Sequence, residues 1–433
     1  MSTGIQSPLA SISGSNALKS KAVVSDDPQA WTNTITPFIT NSLQHSTLYS
    51  PAEIQKHTSF FNKHFVRALG PQASNDNTPA FASALTNENT PVELSYCWKS
   101  ATQNGNPIVR YAGDIYPTDK TENFTRRDTL GHSIDVLSSM QDLPEFSSSN
   151  NTSFLELSKT ITASFLKQET ETHEHDAACS TCVSSSTFIG FDLAKSDMQT
   201  KMYWRVLECL SASERLAHLD SVFSNIVAAH PDIQASANGT GAEKILEGWN
   251  LMKTFANGHE SLTPTILAFD ATKYPWCRFK IYFKLSFDED NSWDVIERNL
   301  SLGGKVHLAK DFVATSKKLW ESLVVKSGEK KTNFCYLLWD ILADGTLRPK
   351  FYVMGEQIPR TDAVIAQSVL ENCENVKESS LMKNFQQSAQ PTRFINEIGL
   401  GPVGEDSTEV AVYLSPALFS RSSWKIGQDG LFE

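Results

Sequence analysis

The sequence predicts an α+β fold in which antiparallel strand pairs alternate with helices inside one large domain. Three observations point there. Segments with strand-like alternation recur in pairs, segments with helical apolar spacing separate the pairs, and no long linker interrupts the 433 residues. Length alone suggests two or three domains at roughly 150 residues each. The unbroken rhythm instead favours one domain over residues 26–433, after a Ser-, Gly-, Ala- and Lys-rich flexible leader at 1–25.

Pro28 to Leu69 places Trp31, Ile35, Phe38 and Leu43, then Ile54, Phe60, Phe61, Phe65 and Leu69, at helical spacing. Two helices facing one core are expected, and Gly70-Pro71 stops the second. Val92 to Trp98 and Ile108 to Ile115 form the first strand pair, followed by helical stretches at Thr129 to Leu143 and Asn150 to Leu166. Thr187 to Leu193 pairs with Thr200 to Leu207, and helices follow at Ser211 to Ala229 and Ala242 to Phe255. Thr265 to Asp270 and Arg278 to Phe287 repeat the pattern before helices at Ser292 to Asn299 and Lys310 to Leu323. Thr332 to Leu342 and Leu347 to Val353 form a further pair, then a helix at Asp362 to Asn372. Glu409 to Leu414 is a final strand, and Ala389 to Ile398 before it has no clear periodicity.

Hydrophobic residues make up 40% of the chain, enough for a large core. The net charge of −11 argues against nucleic-acid or anionic-membrane partners but leaves room for an internal anion site. Seven scattered cysteines suit reduced thiols better than a disulfide framework. No signal peptide and no apolar run near about 18 residues is evident, so a cytoplasmic protein is expected.

Three strands share the signature Lys-x-Tyr: Lys201-Met202-Tyr203, Lys280-Ile281-Tyr282 and Lys350-Phe351-Tyr352. Side chains alternate along a strand, so Arg278, Lys280 and Tyr282 share one face while Phe279 and Ile281 pack on the other. If the strands close into a barrel, the Lys-Tyr pairs converge on its lumen, and Arg110 beside Tyr111 can join them. Clustered cations suit a diphosphate, and tyrosine π-faces suit a carbocation. Together they point to prenyl transfer. Glu93, in Pro91-Val92-Glu93-Leu94-Ser95, can accept the N–H or O–H hydrogen of an aromatic acceptor if it faces the same lumen. The competing reading makes these residues solvated strand ends.

These segments, with Gly190-Phe191-Asp192-Leu193 and Val412-Tyr413-Leu414-Ser415-Pro416, resemble the fungal dimethylallyltryptophan synthase superfamily of aromatic prenyltransferases from Trp31 to Tyr413. The resemblance implies an αββα (ABBA) barrel of ten antiparallel strands ringed by helices. It implies that Arg110, Lys201, Arg278, Lys280 and Lys350 bind the diphosphate of dimethylallyl diphosphate. Tyr203, Tyr282, Tyr352 and Tyr413 would shield the cation, and Glu93 would hold the acceptor and relay its proton. It implies a metal-independent transferase of secondary metabolism acting on an indole, needing no cofactor and working as a monomer or homodimer. Indole C4-prenylating members carry a lysine on the strand before Gly190, where this chain has Phe188. The acceptor therefore stays open to a phenol, xanthone or polyketide, and the donor to geranyl diphosphate. A non-catalytic isoprenoid-diphosphate-binding barrel is the alternative from another class.

Two motifs imitate metal sites. His173-Glu174-His175 with Cys179-Ser180-Thr181-Cys182 has a zinc-like Cys spacing, but its His pair is tight and its setting is a polar loop, so no metal is expected. Asp288-Glu289-Asp290-Asn291-Ser292-Trp293-Asp294 lacks the glycine and final glutamate of a calcium loop and reads as a solvated turn.

Overall fold

Ten antiparallel strands close on themselves in the computed structural model of the chain, so the sheet has no free edge. The structure describes residues 24–25, 28–73, 79–99, 106–118, 124–144, 152–173, 182–195, 197–229, 241–270, 278–324, 331–388 and 393–419. Residues 1–23 of the expected leader lie outside them, and Val24–Ser25 pair with Gln72–Ala73 as a two-stranded ribbon.

The barrel strands are β1 (Val92–Trp98), β2 (Ile108–Asp114), β3 (Thr187–Leu193), β4 (Met198–Arg205) and β5 (Leu262–Asp270). They continue as β6 (Arg278–Ser286), β7 (Phe334–Leu342), β8 (Leu347–Met354), β9 (Ile395–Pro402) and β10 (Thr408–Leu414). Each pairs with its sequence neighbour, and β10 closes on β1 through Tyr413 opposite Ser95. Helices lie between the strand pairs: α1 (Pro28–Ser46) and α2 (Pro51–Phe60), then α3 (Arg126–Met140) and α4 (Thr152–Thr172). After β4 come α5 (Ala212–Ala229) and α6 (Gly241–Ala256), after β6 α7 (Trp293–Leu300) and α8 (Lys310–Leu323), and after β8 α9 (Asp362–Asn372) and α10 (Ser380–Gln386). This is the αββα repeat that the strand-pair rhythm predicts.

The outward face of each strand builds the core. On β6, Phe279, Ile281, Phe283 and Leu285 alternate with the polar set and are buried beneath the helices. Phe223 of α5 stacks on Trp249 of α6 at 4.9 Å and meets the edge of Phe279 at 5.4 Å. Buried indoles keep their N–H groups paired: Trp204 donates to Thr162, Trp249 to Asp220, Trp320 to the Asn291 carbonyl and Trp339 to that of Leu300. Helix starts follow local chemistry. Ser50 with Glu53 and Thr125 with Asp128 form reciprocal capping boxes at α2 and α3.

Several elements differ from the sequence expectation: α2 ends at Phe60, short of the expected stop at Gly70-Pro71, and α10 has no counterpart in that expectation. The stretch without clear periodicity, Ala389 to Ile398, overlaps the start of β9, which runs on to Pro402 through Gly399 and Gly401, residues that dilute any strand signal. Helix α4 runs to Thr172, six residues beyond the expected Leu166. Among the described residues no helix is long and apolar enough to cross a membrane.

Candidate active site

Paired residues on neighbouring antiparallel strands face the same side, so the register identifies the lumen face. Lys201 lies opposite Asp270, Arg110 opposite Asp192, Lys280 opposite Asp340, Lys350 opposite Leu338, and Tyr413 opposite Glu397. All five cations and all four tyrosines expected from the sequence line one cavity of about 760 Å³. The cavity also takes in Arg348, Asp340 and Glu409, with Lys99, Lys305 and His307 toward its mouth.

At this end the charges form a lattice. Asp192 Oδ1 lies 3.2 Å from Arg110 Nε and 2.5 Å from Lys201 Nζ. Asp270 is paired with Arg278 at 2.6 Å and with Lys280. Asp340 meets Arg348 at 2.5 Å and Arg278 at 3.4 Å, and Glu409 pairs with Lys350. Six cations against four carboxylates leave two net positive charges in the lattice. Burial opposes the charge on Asp192, Asp270, Asp340 and Glu409, yet the cations beside them hold all four below the usual carboxylate range. Burial and the neighbouring cations pull the Lys280 ammonium down to about 7 despite Asp270. This end therefore carries an excess of positive charge.

Beneath the lattice the tyrosines form a belt. Ring centroids lie 6.4 Å apart for Tyr203 and Tyr282, 5.7 Å for Tyr282 and Tyr352, and 6.2 Å for Tyr352 and Tyr413. Burial pushes all four phenols well above their ordinary range, so the rings stay neutral. Glycines let the rings lie against the wall. A Cβ on Gly399 would sit 2.6 Å from Tyr352 Cε1, and one on Gly190 would sit 3.2 Å from Tyr203 Cε2. Phe188 faces the lumen opposite Tyr203, their rings 6.5 Å apart.

Glu93 is not among the residues lining this cavity. It is 7% exposed, on the lumen face opposite Ala112, and its Oε1 accepts a 2.5 Å hydrogen bond from Asn396 Nδ2. Burial and then Glu397 raise its carboxyl well above the usual range, against the pull of Asn396. Burial likewise pushes Glu397 up to about 8. Carboxyls in the lattice are thus held below the usual range, while burial holds Glu93 and Glu397 above it.

Comparison with known proteins follows the same lines. The family described as tryptophan dimethylallyltransferase matches residues 27–388. The chain belongs to that family. A curated relative, 4-O-dimethylallyl-L-tyrosine synthase of Claviceps purpurea (strain 20.1), is 24% identical over 278 residues. The match spans 63% of this chain and 56% of that relative's length. Among solved structures, AnaPT from Neosartorya fischeri superposes with a TM-score of 0.65 at 15% identity, covering 90% of this chain and 93% of that one. NotF in complex with brevianamide F and DMSPP gives a TM-score of 0.63 at 15% identity, covering 95% and 99%. The 5-dimethylallyltryptophan synthase from Streptomyces coelicolor gives 0.59 at 12% identity, covering 89% and 99%. These share the barrel.

Within this tryptophan dimethylallyltransferase-family barrel, several lumen residues escape the sequence reading. Arg348 is one of them, although Arg348-Pro349-Lys350-Phe351-Tyr352 repeats the spacing of Arg278-Phe279-Lys280-Ile281-Tyr282, a signal that could have found it. The four lattice carboxylates, Glu397 and Asn396 carry no local signal; only strand register brings them in. Of the two imitated metal sites, Asp288–Asp294 is the turn into α7, where Ser292 N–H bonds Asp290. Glu174, His175 and Cys179 lie outside the described residues, whereas His173 and Cys182 lie close together beside Cys209.

Proposed function

We propose that the protein transfers a dimethylallyl group from dimethylallyl diphosphate to an indole acceptor by electrophilic aromatic substitution, without a metal ion. One observation carries the reading: a continuous belt of four neutral tyrosines separates a net-cationic lattice from the protonatable carboxyl of Glu93. Arg110, Lys201, Arg278, Lys280, Lys350 and Arg348 hold the diphosphate and stabilise the charge that develops as its C–O bond ionises. The lattice supplies by side chains the positive charge that a metal ion would otherwise bring. Tyr203, Tyr282, Tyr352 and Tyr413 surround the allylic cation with π-faces and exclude water, which would otherwise capture it as an alcohol. Glu93 accepts the indole N–H hydrogen, raising the ring's nucleophilicity and fixing its position. The proton lost from the ring then passes to a lumen base. We place this activity in a single cytoplasmic domain from residue 26 onward.

A phenolic acceptor is the second reading. It is favoured by the relative named 4-O-dimethylallyl-L-tyrosine synthase and by Phe188, which offers no basic group below the belt.

The deciding experiment incubates the protein with dimethylallyl or geranyl diphosphate, with and without magnesium. Indoles, cyclic dipeptides, tyrosine and phenols serve as acceptors, and products are detected by mass. Prenylated indole in magnesium-free buffer is the expected product. Prenylated phenols alone would select the second reading. Donor binding without transfer to any aromatic would leave a binding barrel, and release of phosphate only in magnesium would point to phosphoryl chemistry.

A further inference from the structure

Three potential soft-metal ligands from separate connections meet at the end of the barrel opposite the lattice. His173 follows α4, Cys182 precedes β3, and Cys209 lies in the turn after β4. One ligand atom from each, a His nitrogen and two Cys sulfurs, all fall within 4.8 Å of one another. His173 Nε2 and Cys209 Sγ are 3.7 Å apart. In a tetrahedral zinc site with Zn–S near 2.3 Å and Zn–N near 2.0 Å, neighbouring ligand atoms lie about 3.6 Å apart. The contact already has the length of a tetrahedral edge.

The backbone around each ligand is anchored. Arg127 Nη2 donates to the His173 carbonyl at 2.7 Å, and the His173 N–H closes the last turn of α4 on Glu169 at 3.0 Å. Arg215 donates to the carbonyls on both sides of Cys209, Glu208 at 2.6 Å and Leu210 at 2.9 Å. Thr129 and Tyr116 bond Ser184, two residues past Cys182. The Arg215 guanidinium also lies within electrostatic reach of both thiols. Cys209 is exposed, so a metal ion can enter from solvent.

We infer that His173, Cys182 and Cys209 form a zinc(II) site that clips the α4, β3 and β4 connections together at the end of the barrel opposite the lattice. Two thiolates and an imidazole select zinc over the hard cations magnesium and calcium. Binding releases one proton from each thiol, and three protein ligands leave one tetrahedral position for water or a further donor. The sequence motif alone argued against zinc because it holds a tight His pair; the third ligand arrives from Cys209, 27 residues after Cys182. The site stands apart from the lattice, the tyrosine belt and Glu93, so its test is independent of the proposed transfer.

The test treats the reduced full-length protein with zinc(II), and separately with cobalt(II), then removes unbound metal by gel filtration. One zinc per chain and a cobalt spectrum with thiolate charge-transfer and tetrahedral d–d bands are expected. Zinc should protect Cys182 and Cys209 from alkylation in peptide mapping and raise the melting temperature. A C182S/C209S double variant, checked for folding by circular dichroism, should lose metal, spectrum and thermal shift. Zinc retained by that variant, thiols that alkylate equally with and without zinc, or a Cys182–Cys209 disulfide in protein purified without reductant would each overturn the site.

Discussion

Asn396 donates its side-chain amide N–H to Glu93 Oε1 at 2.5 Å, joining β9 to β1 across 303 residues of sequence. The amide is oriented from behind, since the Asn87 N–H donates to Asn396 Oδ1 and Asn396 Nδ2 also reaches the Leu85 carbonyl. A bond to a carboxylate favours its charged form, so Asn396 works against the burial that raises Glu93. Glu93→Gln should lower transfer by about 10²–10⁴, the range for loss of a positioned proton acceptor. Asn396→Ala should leave Glu93 present but harder to ionise. Its pH–rate profile should show the acid limb moved to higher pH, with the plateau less affected. A limb that stays in place in Asn396→Ala, or full activity in Glu93→Gln, would remove the pair from the mechanism.

Lys280 gives donor binding a pH signature. Its ammonium is pulled down to about 7 in the empty site by burial, and a bound diphosphate must raise it again. Above pH 7 the site therefore takes up a proton as the donor binds. Affinity should weaken as pH rises, by at most about tenfold per unit for one proton. Calorimetry in buffers of different ionisation enthalpy measures that uptake directly. Lys280→Met should bind more weakly at neutral pH and lose the proton uptake; an unchanged uptake would assign the proton to another group.

Glu397 should impose a pH-dependent cost on the fold. Its pKa rises from 4.5 to about 8 on burial, so between those values the native chain binds more protons than the unfolded chain. Stability then falls as pH rises through that window and levels off above it. Glu397→Gln removes the ionisable group. Its melting temperature should exceed that of the parent at alkaline pH, with the gap closing toward pH 4.5. A gap of constant size across the range would show that the ionisation of Glu397 is not what costs stability.

What the sequence could show depended on the distance over which each relation acts. The Lys-x-Tyr pairs were legible because a strand's period of two sets which residues share a face, whatever the strand pairs with. Strand β9 was not legible, since Gly399 and Gly401 are required by neighbours rather than by the strand itself. Gly399 makes room for Tyr352, and a Cβ on Gly401 would press on Lys350 Cγ at 3.1 Å. Strand β8 was legible despite Pro349, which lies within the barrel opposite Trp339. The lattice carboxylates were hidden for another reason. Asp340 sits in an otherwise apolar run, Leu337 to Ile341, and only the register of β7 against β6 and β8 shows that it faces Lys280 and Arg348.

Asp340 should control how tightly the diphosphate product is held. It has no solvent exposure, and its Oδ2 meets Arg348 at 2.5 Å and Arg278 at 3.4 Å. Asp340→Asn leaves both guanidiniums less neutralised and adds a positive charge to the lattice. The empty protein should lose about 3–5 kcal/mol of stability, as is usual when one partner of a buried ion pair is removed. Inorganic diphosphate should bind more tightly and restore part of the melting temperature. Weaker inhibition by diphosphate in the variant would mean that Asp340 orients the arginines more than it offsets their charge.

Gly399→Ala tests the tyrosine belt without touching any tyrosine. The new methyl would lie 2.6 Å from Tyr352 Cε1 and 3.0 Å from Cδ1, closer than packed carbons come, so the ring must swing away from the wall. Gly399 is not among the glycines with positive φ, so the backbone accepts alanine and the cost, about 1–3 kcal/mol, falls on packing. Because the lattice is untouched, donor affinity should change little. The displaced ring opens a gap between Tyr282 and Tyr413, its neighbours in the belt at 5.7 and 6.2 Å. Water entering there should divert the allylic cation, raising the ratio of dimethylallyl alcohol to prenylated acceptor several-fold. Equal partitioning in parent and variant, with the fold intact by circular dichroism, would show that the belt does not keep water from the cation.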